Sequence, residues 1–470
     1  MRLLFILFLL TQLTVHISAQ TLNFSFSVNK TGTGLYQIEC KAEPGQYLAI
    51  HDGEAGLFEK SVPSTVWRKS WVNDSFFYLD CMEKPKNAQR FRATSYLGVN
   101  LTTSGLDGMN NDTQWRLKPS NEKGWFYIVH RTSGRLLQYD GQKLWISNDL
   151  HPRDAVKWKM TLQKLDLSQI ECPRIMMGDD YHALRNPCVV YVNDMFYMYH
   201  TVVFTGENEE ILYTVGVSKS EDLVRWTPTK ILTEKDQNIS CSSPGSITRF
   251  DGKWILSLQT YPMPGNKRSG KLRFANESRR NWIMRSDDLE NWSERELLKV
   301  MGPDVDPGTM IDPFILEDKD EPGKWWCFFK RDGASYSYSY DLKNWTYAGR
   351  TEAGENIYAW VENDEYYIMH SPERGMGIKR SRDMKNWEEV VNPEDLVLDQ
   401  DNWEWGSQRV TAGHIVDLRD DPRVGKYLLF FHGQGPSPKT TEIIHSGTDM
   451  GIAWSDDLIT WDWPGKKNTN

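Results

Sequence analysis

The stretch "MGIAWSDDLITW", residues 450–461, decides how the chain is read, because four variants of it come earlier. They are "VGVSKSEDLVRW" (215–226), "NWIMRSDDLENW" (281–292), "YSYSYDLKNW" (336–345) and "MGIKRSRDMKNW" (376–387). Each combines a half-buried alternating strand, a Ser or Tyr, an acidic tight turn, a Leu or Met, and a Trp placed to pack between neighbouring sheets. The terminal residues Trp226, Trp292, Trp345, Trp387 and Trp461 are spaced by 66, 53, 42 and 74, with no helical pattern between them. Repeats of this length and texture predict a β-propeller of four-stranded blades. Upstream of each phrase lies a strand, a polar turn and an aromatic-rich strand, as in "NPCVVYVNDMFYMYH" and "NIYAWVENDEYYIMHS". Five such hairpins and five phrases predict five blades from about Glu171, with the ring closing just after the fifth phrase.

The first part of the chain repeats differently. "TVWRK" at Trp67, "TQWRL" at Trp115 and "VKWKM" at Trp158 are spaced by 48 and 43, and three units of about that length with strand-and-turn texture suggest a β-trefoil. The expected fold is therefore all-β, with a signal peptide over 1–19, a smaller β-trefoil-like domain over 20–168 and a five-bladed propeller over 169–470.

The leader "MRLLFILFLLTQLTVHISA" has one Arg, a short apolar run and a small residue at Ala19, the pattern of a secretory signal rather than a membrane anchor. Six cysteines and nine Asn-x-Ser/Thr sequons agree with a secreted, extracellular glycoprotein. Two of those sequons, at Asn291 and Asn344, fall inside the repeated phrase, where an Asn before Trp has a structural use. Cys40 and Cys81 stand alone in the first domain, so a disulfide between them is the economical expectation, with the other four pairing within the propeller. The net charge of −9 argues against nucleic acid or an anionic membrane as partner and favours a neutral ligand. Twenty Trp residues would suit sugar stacking, although packing between repeated sheets accounts for most of them.

In a propeller the starts of the inner hairpins face the central axis. There, over roughly residues 175–465, the chain resembles glycoside hydrolase family 43 and its five-bladed, fructosidase-like relatives. "MIDPFILED" is similar to a family segment whose Asp orients and tunes the catalytic acid, a role that falls on Asp312. "ENIYAWVENDEYY" matches the acid-bearing strand and gives Glu355 as proton donor, with Tyr358 and Trp360 on the same strand as substrate-binding aromatics. "TAGHIVDL" supplies His414, whose family counterpart faces the axis near a bound calcium; no other cofactor is implied. The base position departs from the pattern: "ALRNPCVVY" has Asn186 where the family has Asp, and an amide cannot take a proton from water. Asp179 and Asp180, just upstream in "MMGDDYH", are the replacement candidates. The first domain resembles ricin-type sugar-binding modules, without their usual Gln-x-Trp spacing.

These residue types suit hydrolysis with inversion, in which one protonated carboxyl serves the leaving oxygen and one carboxylate activates water, about 6.5–9.5 Å apart. A third carboxylate beside the acid would raise its pKa. The resemblance implies a monomeric, secreted glycoside hydrolase acting on neutral oligo- or polysaccharide. The alternatives are a propeller that binds glycans without cleaving them, given Asn186, and one used only for protein contacts. No Gly-rich phosphate loop, His-Glu-x-x-His or Cys-x-x-Cys is present, so nucleotide and zinc chemistry have no support.

Overall fold

The computed structural model describes residues 21–22, 29–51, 54–60, 65–73, 75–82, 89–94, 98–102, 111–147, 154–179, 181–268, 270, 273, 275–331, 333–390, 396–436 and 447–466. The leader expected over 1–19 and the candidate base Asp180 lie outside the described residues.

The first part is a closed sheet. Strands Thr31–Cys40, Val66–Trp71, Phe77–Cys81, Gln114–Pro119, Phe126–His130 and Trp158–Leu165 pair in that order, and the last returns to the first, forming a six-stranded barrel. Three hairpins, Gln46–His51 with Glu54–Glu59, Gln89–Thr94 with Gly98–Thr102, and Leu136–Tyr139 with Leu144–Ser147, accompany it in a threefold plan. The three repeated Trp residues explain the pseudo-symmetry. Trp67, Trp115 and Trp158 are fully buried, and each indole N–H donates to a hairpin carbonyl: Leu48 at 2.7 Å, Phe91 at 2.9 Å and Leu137 at 2.9 Å. Each Trp thus fills the barrel core and anchors its own hairpin, which gives one large residue per repeat two tasks.

Five further sheets form the blades of a propeller. Their inner hairpins are His182–Val192 with Met195–Thr205, Ile247–Phe250 with Lys253–Thr260, Ile311–Glu317 with Trp325–Lys330, Glu355–Glu362 with Glu365–Ser371, and Arg409–Leu418 with Lys426–Gln434. The ring closes where Arg174–Met176, which precedes blade 1, pairs with Thr448–Ser455 of blade 5.

The repeated phrase is a fivefold turn. Asp222, Asp288, Asp341, Asp383 and Asp457 each accept backbone N–H groups two and three residues on. The Leu or Met that follows takes a positive φ, from 58° to 67°. These are left-handed conformations that a non-Gly residue adopts at a cost, held here by the capped turn and by burial of the side chain. Asn291 and Asn344 donate their side-chain amides to Asp288 and Asp341 at 2.7 Å, the structural use open to an Asn before Trp. Another sequon Asn is internal: Asn29 is 5% exposed and bonds Cys172 O and the amides of Glu171 and Cys172, so it is closed to glycosylation in this fold.

The disulfide expectation does not hold in the structure. No disulfide joins any of the six cysteines. Cys40 and Cys81 are both buried in the barrel core, where each packs as a small apolar residue.

Candidate active site

The inner strands of blades 1, 3, 4 and 5 slip register near the axis, between Arg185 and Cys188, Ile311 and Phe314, Glu355 and Tyr358, and Thr411 and His414. Blade 2 breaks its inner strand at the same place, between Cys241–Ser242 and Ile247–Phe250. Each break carries a residue with positive φ: Asn186 at 53°, Ser243 at 44°, Asp312 at 55°, Asn356 at 56° and Ala412 at 56°. A bulge removes a residue from the ladder and re-aims it, so these five turn into one axial pit. Four of the freed backbone amides are caught by a side chain on the second strand of the preceding blade. Asn186 N–H donates to His432 Nδ1 at 3.0 Å, Ser243 to Thr201 Oγ1 at 2.8 Å, Asp312 to Gln259 Oε1 at 2.7 Å and Ala412 to Ser371 Oγ at 3.1 Å.

The pit is narrow, with a volume of about 30 Å³, room for water but not for a sugar ring. Its closeness shows at Gly245, where a Cβ would stand 1.7 Å from Pro313 O.

Asp312 is the one ionisable side chain among the five axial positions. It is 8% exposed. Burial first, and then the charge of Glu355, push its carboxyl up to about 6, against Lys330, the backbone N–H of Asn356 and Arg409. Glu355 lies one residue before the bulge and stands beside the pit rather than lining it. Its carboxylate pairs with Lys330 Nζ at 2.6 Å and with Arg409. Burial alone would raise Glu355, but Arg409 and Lys330 outweigh it and hold the carboxyl below its ordinary value. Arg185, the residue before the blade 1 bulge, is also in electrostatic reach of Asp312, Glu355 and Arg409, and burial lowers its guanidinium to about 10. Asp312 in the pit and Glu355 beside it therefore face three cations, a local positive excess in a chain of net −9.

Asn186 lines the pit, 6% exposed, and its side-chain Nδ2 donates to Asn356 Oδ1 at 3.1 Å, while Asn356 Nδ2 donates to Thr411 Oγ1 at 3.1 Å. The base position is thus tied into an amide–amide–hydroxyl chain. Asp179 is elsewhere: half-exposed, it accepts the Tyr181 amide and pairs with His182 Nδ1, both at 2.7 Å, to shape the turn into blade 1.

Residues 181–350 match the sequence model of glycosyl hydrolases family 43. The match contains Asn186 and Asp312 and stops short of Glu355. No curated protein matches the chain. Among solved structures, a family 43 protein from Bacillus licheniformis aligns at 15% identity over 59% of this chain and 54% of its own, with a TM-score of 0.42. A β-xylosidase/α-arabinofuranosidase from a compost microbial metagenome aligns at 14% identity over 62% and 98%, also with a TM-score of 0.42. An exo-1,5-α-L-arabinanase from a bovine ruminal metagenomic library aligns at 15% identity over 59% and 94%, with a TM-score of 0.39.

His414 lines the pit, but its Nε2 is engaged by Val189 O at 2.9 Å and burial lowers its pKa to about 3, so it is neutral with the proton on Nε2. Among the described residues no three His, Cys, Asp or Glu side chains converge to hold a metal. Tyr358 also lines the pit; its hydroxyl donates to Ile415 O at 2.6 Å and its ring meets the His414 ring edge-on at 4.5 Å. Trp360 instead stacks on Tyr367 at 5.2 Å, away from the pit.

Arg185, Lys330, Arg409, Ser243 and Asn356 were not singled out from the sequence. The X-Pro pairs Asn186-Pro187, Ser243-Pro244 and Asp312-Pro313 were a usable signal for three of the five axial positions. The cations carried none, because they reach Glu355 from other blades.

Proposed function

We propose that this chain is a secreted glycosidase of the family 43 type, acting on a glycosidic bond laid across the mouth of the axial pit. The carrying observation is a pair of carboxyls from adjacent blades whose surroundings push them apart, Asp312 upward and Glu355 downward. Such a divergence sets acid and base roles. Asp312 then holds the proton given to the leaving oxygen, and Glu355, kept ionised by Lys330 and Arg409, acts as the carboxylate partner. This reverses the roles implied by resemblance, in which Glu355 donates and Asp312 tunes it. The match over residues 181–350 supports the reaction class, and the apolar leader supports secretion.

A second reading, recognition without cleavage, draws on Asn186, whose side chain bonds Asn356 where a base would stand. One experiment separates them. Aryl and unactivated oligosaccharide substrates, neutral and acidic, are assayed with the parent, Asp312→Asn and Glu355→Gln, alongside direct binding of the same sugars. Loss of about a hundredfold or more in turnover on either substitution supports the hydrolase. Sugar binding with no turnover by the parent supports the second reading.

A further inference from the structure

A pocket of about 440 Å³ opens between the barrel and the outer edge of blade 1. That volume lies within the roughly 300–1,000 Å³ usual for small-molecule sites, whereas the axial pit admits only water. From the barrel, strand Val66–Trp71 contributes Lys69 and Trp71, and strand Gln114–Pro119 contributes Arg116. The first repeated phrase contributes Glu221, Asp222 and Arg225 from the propeller.

Lys69 is 2% exposed; its ammonium lies 2.6 Å from Glu221 Oε2, 4.5 Å from the Tyr36 ring centre and 5.5 Å from that of Trp71. The Arg225 guanidinium is 5.9 Å from the Trp71 ring. Asp222 is occupied as an acceptor, from Trp71 Nε1 at 2.8 Å and from the amides of Val224 and Arg225 at 3.1 and 2.8 Å. With Lys219 also at the wall, itself paired with Glu290 at 2.8 Å, four cationic side chains stand in or beside the pocket against three carboxylates, in a protein whose net charge is −9. Cations set against the Trp71 indole, with Phe77 edge-on to it at 5.4 Å, bind a ring that is apolar on its face and anionic at its edge.

We propose that this interdomain pocket binds an acidic saccharide, one or two sugar rings bearing a carboxylate or a sulfate. The cations take the acid group, the Trp71 ring flanks a sugar face, and Glu221, half-exposed beside Lys69, accepts from a hydroxyl. The proposal does not depend on whether the axial site cleaves sugars. Both domains supply the lining, so neither half makes this pocket alone.

Calorimetric titration of the full chain tests it with four probes: trigalacturonic acid, a sulfated heparin-type tetrasaccharide, neutral xylotriose and inorganic phosphate. At least one acidic oligosaccharide should bind at least tenfold more tightly than xylotriose and phosphate, with affinity falling as salt rises. The acidic probe that wins identifies carboxylate or sulfate as the group recognised. Arg116→Glu, on an exposed side chain, and the double variant Arg116→Glu/Arg225→Glu should weaken that binding tenfold or more. Asp312→Asn, in the axial pit, should leave it unchanged. Hydrogen-exchange protection should appear in 66–71 and 219–228. Failure of both acidic probes, equal affinity for xylotriose or phosphate, or undiminished binding by folded Arg116→Glu would each overturn the assignment.

Discussion

Replacing Asp312 by Asn should stabilise this protein, and more so as pH rises. The carboxyl titrates near 3.8 in an unfolded chain and about 6 in the fold, and each pH unit of displacement is worth about 1.4 kcal/mol. The folded state therefore holds this proton more tightly than the unfolded state. Its stabilising effect is complete below the unfolded pKa and is lost as pH climbs through about 6. At pH 7.5 the parent bears nearly the whole cost of a buried charge, about 3 kcal/mol; at pH 4.5 it bears about 1 kcal/mol. Asn keeps an oxygen to accept the Asn356 amide and carries no charge to desolvate or to repel Glu355. The advantage of the variant should thus widen by about 2 kcal/mol between pH 4.5 and 7.5, which for a propeller of about 300 residues is about 3 °C in melting temperature. Calorimetric melting of both proteins at the two pH values measures this. A gap that is constant with pH, or a variant less stable than the parent at pH 7.5, would refute the reasoning, since either outcome means that Asp312 is not a strained, ionisable group at neutral pH.

Two further outcomes follow from the same geometry. Repeating the comparison in a Glu355→Gln background should narrow the pH dependence, because Glu355 is the largest contributor after burial to the raised Asp312 pKa; an unchanged window would separate the two carboxyls. The unfolded, unreduced protein should yield six reactive thiols with an aromatic disulfide reagent, and a count of four or fewer would restore the disulfides expected of a secreted chain.

The parts legible in the sequence were those whose causes are local. In the repeated phrase the Ser, the Asp and the left-handed Leu or Met meet within about one turn, and in four of the five copies the Trp indole donates to the Leu or Met carbonyl, so five copies announce five blades before any tertiary contact is known. Trp67, Trp115 and Trp158 were legible for a related reason: one large residue per unit both fills the barrel and anchors a hairpin. The site was harder to read because its geometry depends on bulges and on neighbours from other blades. Counting along the strand led to Glu355, yet the slip between Glu355 and Tyr358 puts Asn356 into the pit and leaves Glu355 beside it with Lys330 and Arg409. Those cations come from blades 3 and 5, so no spacing within blade 4 reveals that they reverse the expected direction of the carboxyl's pKa. Asp179 shows a different dependence on neighbours: its position in sequence fits a base, and its side chain shapes the turn with Tyr181 and His182. Read blade by blade, the axial positions run Asn, Ser, Asp, Asn, Ala, and only the third is ionisable. The chemistry of this ring therefore rests on one buried carboxyl and on what the residues just before the bulges, Arg185 and Glu355, place around it.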